Sequence, residues 1–233
     1  MTDVPRETPS QGRDGRDRPE EGVLNQLFPR RVKSIDRYVD LLATEGVARG
    51  LVGPREAPRL WSRHVLNCVV IAPLIAPGAA VCDVGSGAGL PGVVLAIARP
   101  DLRVTLLEPL LRRSEFLSEV VSRLKLPNAT VMRARAEDAH GHLFVDVVTA
   151  RAVAPLDRLA GWCLPLCRAG GELIAIKGST AADEVETHRA AVARLTGGRV
   201  RIEHWGAEIV SPAATVVRIE SSGQRSVGTK GQQ

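Results

Sequence analysis

A chain of 233 residues, 44% hydrophobic and 24% charged, has the make-up of a soluble globular protein with room for one α/β domain and a modest addition. No apolar run reaches the length of a membrane span, since the densest stretch, Val69 to Ile75, is interrupted by Pro73; the first twenty residues balance Arg against Asp with no hydrophobic core, so neither a secretory leader nor a membrane association is expected and the protein should be cytoplasmic. The formal charge of +5 is unevenly placed: from Gln26 to Ala76 eight basic residues stand against four acidic ones, which suits a polyanionic partner and equally a solvated helix face.

Residues 1–22 carry almost nothing apolar and are expected to be disordered, as is the polar tail 221–233. Between them the sequence divides into a helical extension, 23–76, and an α/β domain, 77–220. In the extension, Ser34 is placed to cap a helix on which Ile35, Tyr38, Val39 and Leu42 keep helical period, ending before Gly50. A second helix is expected from near Pro58, with Trp61, Val65 and Val69 turned inward. Arg59, Arg63 and Asn67 share another of its faces beside His64, either as a surface helix with a half-buried histidine or as a basic face at the mouth of a site.

The stretch Val81-Cys82-Asp83-Val84-Gly85-Ser86-Gly87-Ala88-Gly89-Leu90-Pro91-Gly92 reads as a strand, a tight glycine turn and the start of a helix that Pro100 closes. Such a turn lets a ligand lie against main chain. Gly87 to Gly92 formally fits the GxGxxG dinucleotide fingerprint, but Gly85 holds the place directly after the strand, and the sixth position counted from it is Leu90. Asp83 would also oppose a pyrophosphate and favour a cation-bearing ligand. This pattern resembles instead the first motif of the class I methyltransferases, which bind the sulfonium nucleoside S-adenosylmethionine.

A second strand, residues 103–107, ends at Glu108, 23 residues beyond Gly85, close to the spacing at which a carboxylate accepts hydrogen bonds from ribose hydroxyls. A helix over 110–125 turns Phe116, Leu117, Val120, Val121 and Leu124 inward, and a third strand, 128–132, leads into a loop in which Ala136 and Glu137 or Asp138 stand where an adenine edge could be read. The fourth strand, 144–150, delivers Arg151 at its C-terminal end, where open α/β sheets bind ligands. No Asn/Asp-Pro-Pro-aromatic tetrad follows it. A helix over 154–168, a fifth strand, 172–176, ending at Lys177, a helix capped near Thr180 with Glu184 in a capping box, and an antiparallel pair, 200–204 and 214–219, complete the chain. Cys68, Cys82, Cys163 and Cys167 lack metal-site spacing and are expected to be buried thiols, with no metal bound.

Arg63-His64-Val65-Leu66-Asn67, the glycine stretch through Gly92, Arg112-Arg113-Ser114-Glu115-Phe116-Leu117, Ala150-Arg151-Ala152 and Ile176-Lys177-Gly178 together resemble the RsmG, or glucose-inhibited division protein B, family from about Ser34 to Glu220. The resemblance implies a Rossmann-like sheet with helices on both faces and an enzyme that methylates N7 of one guanine in 16S ribosomal RNA, free or within the small subunit. S-adenosylmethionine would be the donor and S-adenosylhomocysteine the product. It implies cofactor contacts at Gly85, Leu90, Ala136, Glu137 and Arg151, with Asp83, Gly87, Gly89 and Glu108 following from the general fold; Arg151, Lys177, His64 and Arg63 are the candidates to grip phosphates or guanine O6. A monomer is expected. The chain departs from the family at Asn67, where many members have Asp, and over Gly46 to Gly53, which replaces a Trp-Asn and Asn-Leu-Thr segment. A methyltransferase for a small molecule or protein, or a noncatalytic dinucleotide module, are the alternatives.

Overall fold

The computed structural model describes residues 17–151, 154–196 and 199–221. In chain order it builds α1 (Glu21–Leu27), α2 (Val32–Leu41), α3 (Leu66–Val69), β1 (Ala80–Val84), α4 (Gly92–Ala98), β2 (Arg103–Leu107), α5 (Leu111–Leu124), β3 (Ala129–Met132), β4 (Val145–Arg151), α6 (Leu156–Cys163), β5 (Cys167–Lys177), α7 (Ala181–Thr196), β6 (Val200–Trp205) and β7 (Ala214–Glu220). The strands form one sheet in the order β3-β2-β1-β4-β5-β7-β6. β1 to β5 pair in parallel, and β7 runs antiparallel to both its neighbours. The chain winds outward from β1 to β3, then returns to β4 on the other side. That reversal opens a crevice at the C-terminal ends of β1 and β4.

Both sheet faces are covered, as the period-2 alternation of the strands requires. Val81, Ile174 and Ile176 join one core with α1, α2, α3, α4 and α5; Cys82, Val84, Leu173 and Ala175 join the other with α6 and α7. The helical extension therefore shares a core with the sheet. Leu24, Phe28, Ile35, Tyr38 and Trp61 pack with Val93 and Phe116 in it. All four cysteines are buried free thiols. Among the described residues no helix is long and apolar enough to cross a membrane.

Several boundaries differ from the sequence expectation. α2 starts at Val32 with Arg31 in the cap position, so Ser34 lies within the first turn rather than capping it. The segment expected as disordered to residue 22 is structured from Asp17: that carboxylate accepts from the Trp61 and Ser62 amides at 3.2 and 2.9 Å, and Arg18 pairs with Asp36 at 2.8 Å. Asp17 thus caps the second helical segment from 44 residues away, which runs as a 3₁₀ turn (Ala57–Arg59), a π turn (Trp61–Val65) and α3. Residues 1–16 and 222–233 lie outside the described residues. β5 begins at Cys167, ahead of Gly170-Gly171, because the register slips at that point: Val145 pairs with Cys167 and Val147 with Glu172. Glu184 joins Lys177 Nζ at 2.8 Å, not a capping box.

Gly92, the first residue of α4, sits where a Cβ would lie 2.4 Å from Leu106 Cδ2 and 2.7 Å from Asp83 Oδ2, whereas a Cβ at Gly161 in α6 meets nothing within 4 Å. Gly92→Ala should therefore cost about 1–3 kcal/mol of stability by overpacking. Gly161→Ala should add about 0.5–1 kcal/mol through the helix backbone. Urea titrations of the two variants check both signs.

Candidate active site

The site is assembled around Asp83, the fully buried residue before the last of β1. Its Oδ2 accepts from Ser86 Oγ at 2.7 Å and from the Gly92 amide at 2.9 Å, and its Oδ1 stands 3.5 Å from Thr149 Oγ1 on β4. One carboxylate thus ties the two ends of the glycine turn to each other and to the neighbouring strand. Burial pushes its pKa up to about 6, against the pull of the Ser86 and Gly92 hydrogen bonds, Arg151 and Thr149.

Gly85, Gly87 and Gly89 have φ of 68°, 59° and 101°, the left-handed region that glycine enters freely. Where the turn's N–H groups go decides what it can hold. Gly85 and Ser86 donate to Leu107 O at 2.9 and 3.2 Å, Gly87 donates to Glu108 Oε2 at 2.9 Å, and Gly89 and Leu90 donate to Ser86 O at 2.7 and 3.2 Å. The donors that a dinucleotide fold aims at a pyrophosphate are here bonded to the protein itself. From the other side, the Tyr38 hydroxyl of α2 donates to Ala88 O at 2.8 Å.

Glu108 is 1% exposed, yet it lines the cavity that opens beside the turn. Its oxygens accept from the Gly87 and Leu110 amides at 2.9 and 3.0 Å, leaving lone pairs for further donors. The cavity has a volume of about 630 Å³, the size range of small-ligand pockets. Of the residues expected from sequence, Gly85, Gly87, Leu90, Glu108, Ala136, Glu137, Arg151 and His64 line it. Leu90, Leu107 and Ala136 give it apolar walls, while Glu108 and Glu137 supply acceptors, a combination that fits a nucleoside.

Four expected residues stand elsewhere. Asp83 lies beneath the turn, fastening it. Gly89 packs against Val93 and Tyr38, where a Cβ would come within 2.5 and 2.8 Å. Lys177 donates to Ala154 O and to Glu184 at 2.8 Å each, its side chain only 8% exposed, so it is an internal ion pair and not a free phosphate grip. Arg63 is half exposed, 3.3 Å from Glu56 and outside the cavity lining.

The structure also brings in Glu56, which sequence reasoning passed over. Arg151 Nη1 lies 2.9 Å from His64 Nδ1, and His64 Nε2 lies 3.1 Å from Glu56 Oε2. A guanidinium can only donate, so Nδ1 carries the lone pair and Nε2 the proton that Glu56 accepts. The three residues form a directed chain along one wall. Burial lowers the His64 pKa, the Arg151 charge lowers it further, and Glu56 opposes both, so the ring is neutral at physiological pH.

A family model described as rRNA small subunit methyltransferase G matches residues 31–211. The chain is 55% identical over 208 residues to the ribosomal RNA small subunit methyltransferase G of Thermobifida fusca, covering 89% of this chain and 88% of that one. It is 56% identical over 195 residues to the protein of that name from Streptomyces coelicolor, covering 83% and 82%. Among solved structures, an S-adenosylmethionine-dependent O-methyltransferase of Thermotoga maritima superposes with a TM-score of 0.52 at 16% identity over 68% of this chain and 66% of that one. A SAM-dependent methyltransferase of Aquifex aeolicus gives 0.51 at 19% over 70% and 93%. At these identities the structures establish the fold, a class I methyltransferase sheet.

His64, with its lowered pKa, contributes stability above its ordinary value of 6.5 that is lost as pH falls. Asp83 acts in reverse, its contribution full below the ordinary 3.8 and lost as pH rises through about 6. Because the two oppose each other, a global melt blurs them, and NMR titration of the His64 ring resolves one. It should titrate below 6.5, rise in Arg151→Ala, and fall further in Glu56→Ala.

Proposed function

The chain belongs to the rRNA small subunit methyltransferase G family, and on that footing we propose that it methylates N7 of a guanine in 16S ribosomal RNA, as a cytoplasmic enzyme with S-adenosylmethionine as donor and no metal. The observation that carries the reading is the closed set of hydrogen bonds within the glycine turn beside the acceptor-only Glu108. A pyrophosphate would find few main-chain donors there, whereas a ribose diol would find a carboxylate with lone pairs to spare. When bound, the cofactor supplies a methyl carbon on a sulfonium and leaves as S-adenosylhomocysteine.

Glu108 holds the ribose hydroxyls, main chain at Ala136 and the Glu137 carboxylate meet the adenine edge, and Gly85, Gly87 and Leu90 bound the rest. Asp83 serves this seat through the turn alone. Guanine N7 has a free lone pair, so no general base is needed, in keeping with a His64 whose one basic nitrogen is engaged by Arg151. Arg151 donates to guanine O6 or a phosphate as the base gains positive charge. Its orientation is set by His64, which makes His64 a positioning residue.

The extension was the expected RNA surface, but Arg59 and Arg63 both lean on Glu56, at 3.4 and 3.3 Å. Arg112, Arg113, Arg133 and Arg135 are exposed, their side chains have no ion-pair or hydrogen-bond partner among the described residues, and Arg113 and Arg135 line the cavity. The RNA backbone therefore runs across the start of α5 and the loop after β3.

Labelled methyl from S-adenosylmethionine should appear in small-subunit RNA, and calorimetric titration should register S-adenosylmethionine but not NAD; the reverse result removes the proposal. Arg151→Ala should slow transfer by about 10²-fold. Alanine at Arg112, Arg113, Arg133 and Arg135 together should flatten the log–log salt dependence of RNA affinity by roughly 0.7 per lost single-strand phosphate contact. The Arg59 and Arg63 pair should change it less.

A further inference from the structure

The cavity spans the C-terminal ends of β3, β2, β1 and β4 in that order, so its lining divides at the glycine turn. Glu108 and Ala136–Glu137, after β2 and β3, lie on one side. Arg151, at the end of β4, lies on the other, joined through His64 to Glu56, with Leu51 and Val52 adding apolar surface. If the first side seats the nucleoside, the second remains for the base that receives the methyl group.

Guanine carries N7 and O6 on one edge and two adjacent donors, N1–H and the N2 amino group, on the next. Adenine has an acceptor at N1 and cytosine one at N3, so a carboxylate facing this edge pairs with guanine and repels those bases. Glu56 has the capacity: Oε2 accepts from His64 at 3.1 Å, while the Arg63 and Arg59 contacts to Oε1 are long, at 3.3 and 3.4 Å. With His64 between them, Arg151 and Glu56 offer donors and acceptors at two separate points of one wall, the first toward O6 and the second toward the N1–H and N2 edge. Resting on the methyl-transfer reading above, we propose that Glu56 determines base specificity by accepting hydrogen bonds from guanine N1–H and N2, with Arg151 at O6.

The test compares single-turnover methyl transfer to synthetic small-subunit RNA carrying guanosine or inosine, which lacks the N2 amino group, at the target nucleotide. Wild type should prefer guanosine by about tenfold or more, the worth of a hydrogen bond to a charged group. Glu56→Gln and Glu56→Ala should bind S-adenosylmethionine with wild-type affinity, showing an intact fold. They should lose rate on guanosine until the two RNAs react alike. Variants that slow both RNAs equally and keep the preference, or a wild type without preference, overturn the base-reading role and leave methyl transfer standing. A wild type inert toward the guanosine RNA, both free and assembled in the small subunit, overturns both.

Discussion

Everything at this site depends on one buried carboxylate. Asp83 is inaccessible to water, and three groups from the turn, α4 and β4 converge on it. An ionised group in such a place is tolerated only because its lone pairs are occupied. That requirement dictates its neighbours: a hydroxyl at Ser86, a main-chain amide close enough to arrive only because Gly92 has no side chain, and Thr149 across the sheet. The turn is held in shape from below, so its upper surface and Glu108 are free to meet a ligand.

The same logic separates the charges that hold the molecule together from those left over. Lys177 and Arg218 are nearly enclosed and matched with Glu184 and with Glu172 and Glu203. They fasten β5 to α7 and to the antiparallel strands. The arginines at the start of α5 and after β3 have no such partner, and Arg113 and Arg135 among them line the cavity. Residue type does not separate these groups, because all are basic residues. Only the presence or absence of an enclosed acid nearby does.

How much of this could be read in the chain follows from the range of each interaction. β2 was legible to the residue, 103–107, and so was Glu108 after it, because strand period and the distance to the glycine turn are local patterns. That Gly85, Leu90 and Ala136 would come together with Glu108 around one cavity was legible for the same reason. Asp17 as a cap for the 57–69 segment was not, since the partners are 44 residues apart. Nor was Glu56: its 3₁₀ and π surroundings break the 3.6-residue period that would have placed it with His64, and Arg151 reaches that histidine across 87 residues. Asp83 and Lys177 are the opposite case. Their residue types and places suggested ligand contact, but burial turned both into internal fasteners.

The hydroxyl of Tyr38 bears on how the molecule could be cut down. It is fully buried on α2 and reaches the carbonyl of Ala88, inside the glycine turn. A shortened protein starting at β1 would keep every strand of the sheet but leave that carbonyl without its donor and Val93 bare on one flank. The helices ahead of β1 are thus not an accessory that a minimal version could discard. They form the back wall of the glycine turn, and pressure applied to them from outside would be felt directly beneath the cavity it borders.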